Sequence, residues 1–178
     1  MRKIVAGLFI SLDGVTQAPD TWHFPYFNDE MGAAVGALSA SADTMLLGRR
    51  TFEEFASYWP SSTDEMAAQM NNTPKLVVST TLDSVDHWQN STLVEGDPLE
   101  SLTALKDSPG KDISVVGSST LVRSLLRAKV LDELHLLVHP IAVGHGARLF
   151  DEGETVPLEL VSATTFSTGV LHTVYRPV

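Results

Sequence analysis

The chain has no cysteine, so neither a disulfide nor a thiolate metal site can form in its 178 residues. No apolar run approaches the roughly 20 residues that a membrane-crossing helix requires, so no such helix and no membrane partner is expected. The basic start followed by Ile4 to Ile10 imitates a signal peptide. That stretch is short, however, and runs into Ser11-Leu12-Asp13-Gly14 with no small-residue cleavage pattern; a first strand and a cytoplasmic address fit better. Positive charge is scarce: 12 Lys and Arg stand against 22 Asp and Glu, a formal net charge of −10. A nucleic-acid surface needs a basic face to displace counterions, so that partner class is excluded. Basic residues are missing altogether between Lys3 and Arg49, and again between Arg50 and Lys75. A dinucleotide-binding glycine fingerprint is also missing. The first strand leads to Ser-Leu-Asp-Gly-Val, and Gly144-His145-Gly146 has neither a third glycine nor a following helix, which makes it a hairpin or bulge turn.

What is present describes one domain over residues 1–178, with 43% hydrophobic residues and no repeat or linker. Residues 3–10 are continuously apolar, as in a buried strand. Residues 11–27 form a loop rich in Gly, Pro, Asp and aromatics. Asn28 caps a helix over about 29–41, and Thr44 to Leu47 is a short strand. Thr51 with Glu54, and Ser62 with Glu65, match capping boxes for two helices, the second ending near Asn71-Asn72. Strands follow at Lys75 to Ser79 and Ser91 to Val94. Asp97-Pro98-Leu99-Glu100 opens a helix, Ile113 to Val116 is a strand, and residues 119–128 are helical. Strands at about 131–139, 157–165 and 169–176 complete the chain. Alternating strands and helices with a strand-rich tail predict an α/β sheet, parallel at first and antiparallel at its end.

Three strand ends carry matching chemistry: Gly48-Arg49-Arg50-Thr51, Ser79-Thr80, and Gly117-Ser118-Ser119-Thr120-Leu121. Two of them run straight into helices, whose free N–H groups and dipole favour an anion. Arginine forks match phosphate oxygens, and arginine rather than an acid after the strand prefers NADP over NAD. The same residues also have simpler uses: hydroxyls cap helices, and arginines sit solvated on loops. Asp13 serves either as a turn aspartate or as a group orienting substrate or cofactor. Asp29 and Glu30 either decorate a helix N-terminus or face the aromatics Trp22 to Phe27 and act in protonation. Glu133, His135 and His139 share one strand face, but four residues of extended chain separate the histidines, so no metal site is expected.

These motifs, in this order and at about this spacing, resemble dihydrofolate reductase. The nearer likeness is to the C-terminal reductase domain of the bifunctional riboflavin-biosynthesis deaminase-reductase. Ser11-Leu12-Asp13-Gly14, Leu131-Asp132-Glu133-Leu134, and Pro140 through Gly144-His145-Gly146 to Leu149-Phe150 carry it, over nearly the whole chain. The resemblance implies a dihydrofolate-reductase-like three-layer sandwich, a mixed and mostly parallel sheet ending in an antiparallel hairpin. It also implies NADP as cofactor, a small-molecule substrate and often a homodimer. Carried over by motif, it places cofactor contacts at Gly48, Arg49, Arg50, Thr51, Ser79, Thr80, Gly117, Ser118, Ser119, Thr120 and Leu121. Asp13 would then lie near the nicotinamide, and Trp22, Phe27, Phe55 and Trp59 would line the substrate cleft. The folate enzymes' basic residue for the glutamate tail is missing from 51–74, and basic groups for a ribose phosphate are missing between Lys3 and Arg49. The expected activity is therefore NADPH-dependent hydride transfer to a small flat heterocycle, a pyrimidine, pterin or similar, uncharged or weakly cationic. Asp13 or Asp29 is the candidate proton source, and water is the alternative. A non-catalytic NADP-binding sensor or a dimeric interaction protein is the alternative function.

Overall fold

The computed structural model describes residues 1–153 and 155–178. Its centre is strand β1 (Ile4–Ser11), buried on both faces, as its unbroken apolar run requires. Helix α1 (Asp29–Ser41) begins where the Asn28 side chain accepts from the Met31 N–H at 3.0 Å, and passes directly into β2 (Ala42–Gly48). Next come α2 (Arg49–Tyr58), a 3₁₀ turn at Trp59–Ser61, α3 (Ala67–Asn72), β3 (Lys75–Val78) and β4 (Ser91–Leu93). Helix α4 (Pro98–Lys106) starts with proline, and the Asp97 carboxylate accepts from the Leu99 and Glu100 N–H groups. Strand β5 (Asp112–Val116), α5 (Ser119–Arg127), β6 (Glu133–His139), β7 (Leu158–Thr165) and β8 (Leu171–Pro177) complete the chain.

The eight strands form one sheet in the order β4-β3-β2-β5-β1-β6-β8-β7. Every neighbouring pair is parallel except β6–β8 and β8–β7, so the antiparallel part is confined to the C-terminal hairpin, as expected. Alternate strand residues feed two layers of apolar packing. Ile4, Leu46, Ile113 and Leu134 meet Leu102 of α4 and Val122, Leu125 and Leu126 of α5. On the opposite face Met45, Leu47 and Val77 meet Phe52 of α2, while Leu137 meets Met31 of α1. Helices on both faces give the three-layer sandwich.

Neither expected capping box forms. Helix α2 starts at Arg49 with Gly48 as its cap residue, which puts Thr51 in the third helical position, buried and without a capping role. No residue separates β2 from α2, so the helix begins where the strand ends. Ser62 Oγ accepts from the Asp64 N–H at 3.1 Å, and Asp64 accepts from Met66 N–H at 3.0 Å. These local bonds compete with a helical turn, and α3 is reduced to six residues. The lysine opening β3 is itself buried: Lys75 Nζ donates to the carbonyls of Asn71, Thr73 and Gln89 at 3.2, 2.7 and 3.1 Å and lies 4.3 Å over the Trp88 ring. Burial outweighs those acceptors and pushes its ammonium down to about 8.

Candidate functional site

Because β3, β2, β5, β1 and β6 are parallel neighbours, their C-terminal ends line one edge of the sheet. Gly48 pairs in register with Val78, Gly7 with Val116, and Ser11 with His139. The three expected segments therefore arrive side by side at this edge.

Two of them touch. A Cβ built on Gly48 would fall 2.1 Å from Ser118 Oγ, and one built on Gly117 would fall 2.7 Å from Thr51 Oγ1. Both positions need glycine for close approach, and Gly117 also has φ of 66°. Ser118 follows it at φ 57°, a left-handed conformation that a non-glycine residue adopts at a cost. This double twist delivers the chain into α5 with no side chain capping its first turn. Helix α2 likewise has no side-chain cap. The contrast with α1 and α4, which Asn28 and Asp97 cap, is chemical. In the two capped helices a side chain takes one first-turn N–H group of α1 and two of α4. The two that meet at the sheet edge present open N–H groups and the positive ends of their dipoles to the same space.

The remaining expected cofactor residues differ in what they have left to offer. Arg49 donates to Glu53 at 2.8 Å one helical turn away, whereas Arg50 is exposed and unpaired among the described residues. Ser79 Oγ accepts from the N–H groups of Thr81 and Leu82, closing its own turn, and Thr80 is exposed beside it. Ser119 Oγ lies 2.6 Å from Thr16 Oγ1, which ties the loop after β1 to the start of α5. Thr120 Oγ1 accepts from Arg123 at 3.4 Å. Leu121 buries its side chain in the core and leaves only its backbone N–H toward the helix start.

The two candidate acids are placed differently. Asp13 accepts from Ser11 Oγ at 2.5 Å, from the Val143 N–H at 2.9 Å and from the Gly144 N–H at 2.8 Å. The Ser11 bond above all, then the two backbone bonds, hold its carboxyl far below the ordinary range. It is a strut between two loops 130 residues apart, and it is ionised at neutral pH. Gln17 makes a parallel tie, accepting from the Ala147 N–H at 2.7 Å. The Gly144-His145-Gly146 segment is thus tied to Asp13 through the Gly144 N–H, which donates to it. Asp29 is the exposed first residue of α1, with no hydrogen bond or ion pair among the described residues.

Beside this edge, between α1, the sheet and α2–α3, lies a cavity of about 310 Å³. Phe55 and Trp59 line it; Trp22 and Phe27 do not. Its wall reaches Val116, one residue before Gly117. Phe9, Leu38, Met45 and Met70 also line it and escaped the sequence reading, because each looks like an ordinary core residue in its own element. No Asp, Glu, Lys, Arg or His lines it among the described residues. Trp22 and Phe27 instead belong to a neighbouring group of rings around His23 and His139, with Phe9 shared between the two. Glu133, His135 and His139 do not converge. His135 meets His172 at 3.0 Å and Glu133 at 3.3 Å, while His139 turns into the ring cluster, and no group of three metal-ligating side chains occurs among the described residues.

The model of the RibD C-terminal domain family matches residues 2–172. Among individual proteins, the uncharacterized protein YyaP of Bacillus subtilis (strain 168) is 30% identical over 184 residues, covering 98% of this chain and 95% of YyaP. A crystal structure from Shewanella sp. PV-4, provisionally named a riboflavin biosynthesis protein, superposes with a TM-score of 0.80 at 19% identity over 99% of both chains. Dihydrofolate reductase from Enterococcus faecalis, solved with NADP(H) and the compound RAB-propyl, superposes with a TM-score of 0.65 at 16% identity over 98% of this chain and 96% of that one. The fold is therefore dihydrofolate-reductase-like.

Proposed function

The chain belongs to the RibD C-terminal domain family, and from that premise we propose that it is an NADPH-dependent reductase of a small flat heterocycle, uncharged or weakly cationic. The observation that carries this reading is the pair of uncapped helix N-termini, α2 and α5, brought into contact through Gly48 and Gly117 beside an apolar cavity. Open N–H groups at two adjacent helix starts suit a dinucleotide's phosphates. The exposed Arg50 adds a fork for the extra phosphate that separates NADP from NAD. The Enterococcus enzyme's NADP(H) supports the same choice.

When bound, the cofactor supplies the hydride. The chain's own part is positioning. Gly48 and Gly117 let the starts of α2 and α5 pack against each other, so that their open N–H groups would hold the phosphates together, and the Thr16–Ser119 contact holds the loop after β1 against α5. Phe9, Phe55 and Trp59 line the cavity and would give a flat substrate aromatic contact and shield it from water. With no charged lining group, the cavity offers nothing to a phosphate ester or a glutamate tail, whose burial there would leave a charge unpaired. No titratable group lines the cavity among the described residues either, which favours water as the proton source.

That last feature also favours a second reading, a protein that holds NADP without turning over. Titration calorimetry and NADPH oxidation with a panel of pterins, quinones and pyrimidines separate the two. The reductase reading expects NADPH binding and turnover with at least one uncharged ring compound; binding without turnover supports the sensor, and no binding of either dinucleotide overturns both. Replacing Arg49 and Arg50 together by Ala is expected to weaken NADPH by roughly 10- to 100-fold, the scale of a charged hydrogen bond, and NADH by much less. Equal losses would remove the 2′-phosphate role.

A further inference from the structure

The segment 19–27 covers the ends of β1 and β6 with a box of rings. His23 stacks on Phe9, centroids 4.6 Å apart and planes 15° from parallel, and lies 4.2 Å from Phe24. His139, the last residue of β6, stands edge-on to it at 6.0 Å, and Trp22 and Tyr26 close on His139 at 5.1 and 5.7 Å. His139 is fully buried and His23 is 7% exposed. Each ring has one buried nitrogen with no hydrogen-bond partner among the described residues: Nδ1 of His23 and Nε2 of His139.

Those two atoms decide what a proton would do. His139 Nδ1 lies 2.8 Å from the Leu137 carbonyl, which can only accept, so Nδ1 carries the hydrogen and a second proton must land on Nε2. A cationic His23 likewise carries an N–H at Nδ1. In both cases protonation puts an N–H on a buried nitrogen that makes no hydrogen bond among the described residues, on a ring that has just become charged.

The described surroundings compensate burial only in part. Asp20, exposed on the same segment, is the one carboxylate acting on His23, and it works against burial and against the neighbouring His139. The strands β1 and β6 present only the backbone carbonyls of Ile10 and Leu137 to His139. At the start of α1, Asp29 is exposed, and Glu30 is engaged by the Ser167 N–H and by Asn28. The Pro140 carbonyl accepts from Tyr26.

We propose that His23 and His139 form an acid-released latch: with both rings neutral the 19–27 segment is held over the sheet edge, and one proton on either ring lifts it. Phe9 is the link to the cavity, because its ring is stacked by His23 and also lines the cavity wall. Release of His23 bares Phe9 and loosens that wall. This consequence for substrate access rests on the reductase reading; the latch itself does not. Burial holds both imidazoles below their ordinary value, so the latch stays closed at neutral pH and opens in mild acid.

Amide hydrogen exchange on the full chain, without cofactor, tests it. Between pH 7.5 and pH 5, after correction for intrinsic exchange, protection over residues 19–27 is expected to fall at least tenfold while β2 and β5 change less than twofold. The double variant His23→Phe/His139→Gln, which keeps a ring on Phe9 and a donor for Leu137, is expected to keep the same protection at both pH values. His87→Gln, on an exposed histidine, is expected to respond as the native chain does. Should the double variant fail to fold, imidazole proton resonances of the native chain serve instead, and those of His23 and His139 must titrate together with the loss of protection. Native protection that changes less than twofold, a folded double variant that still loses it, or titration of either ring without loss of protection overturns the latch. None of these outcomes bears on whether NADPH binds.

Discussion

Replacing Gly117 by alanine tests the contact on which the proposed cofactor site is built. At its φ of 66° an alanine sits in left-handed backbone, a cost of roughly 1–2 kcal/mol. Its Cβ would also fall 2.7 Å from Thr51 Oγ1 and 2.9 Å from Thr51 Cγ2. Thr51 is buried in the first turn of α2 and has little room to retreat, so overpacking adds about 1–3 kcal/mol. The expected loss is therefore about 2–5 kcal/mol, a large share of the stability of a domain this size. Urea unfolding followed by far-UV circular dichroism reads it directly. The two components separate in a double-mutant cycle with Thr51→Ala, which removes the two nearest atoms and leaves only Cβ, at 3.4 Å. A favourable coupling of about 1–3 kcal/mol is expected, leaving the backbone share uncorrected. If Gly117→Ala costs under about 0.5 kcal/mol, or if the two changes add independently, α2 and α5 are not held together by this contact.

Two further substitutions probe features outside the cofactor turn. Asp13→Asn leaves one carbonyl oxygen where two carboxylate oxygens accepted three bonds, so the 141–147 loop is expected to become more open to limited proteolysis while the strands keep their circular dichroism. Because the Asp13 carboxyl is held down, its share of stability is full above its unfolded value of 3.8 and disappears only as pH falls through the lower folded value; destabilisation of the native chain relative to Asp13→Asn already near pH 5 would refute the strut. Lys75 titrates in the opposite part of the range. With a folded value of about 8 against 10.5 unfolded, native stability relative to Lys75→Met is expected to rise by up to about 3 kcal/mol between those pH values, as the cost of burying the ammonium is relieved. A flat difference in urea midpoints across that range would show that the three carbonyls and Trp88 compensate burial fully.

Much of the architecture is legible because it is written locally. The caps at Asn28 and Asp97 were readable since a cap and its N–H partners lie within three residues. The capping boxes at Thr51 and Ser62 have equally good local spelling and do not form. At Thr51 the strand runs straight into the helix, and the hydroxyl packs against Gly117 instead. At Ser62 side chains bond to the backbone two residues on. Asp13 illustrates the harder limit. Its motif was visible, but its role depends on two N–H groups 130 residues away, so its choice between turn residue and acid stayed open until the loops were placed.

By itself the sequence determined the order of strands and helices, the polar turns at three strand ends, the lack of basic groups where a charged substrate would need them, and the family. Those follow from hydrophobic period, turn chemistry and composition, all short-range properties of the chain. Only the tertiary structure decided which helix starts stay uncapped, what Asp13 holds, where the uncharged cavity lies, and that His23 and His139 share one buried box of rings. Each of these is a meeting of residues far apart in sequence, set by sheet order and burial, and no local pattern encodes such a meeting.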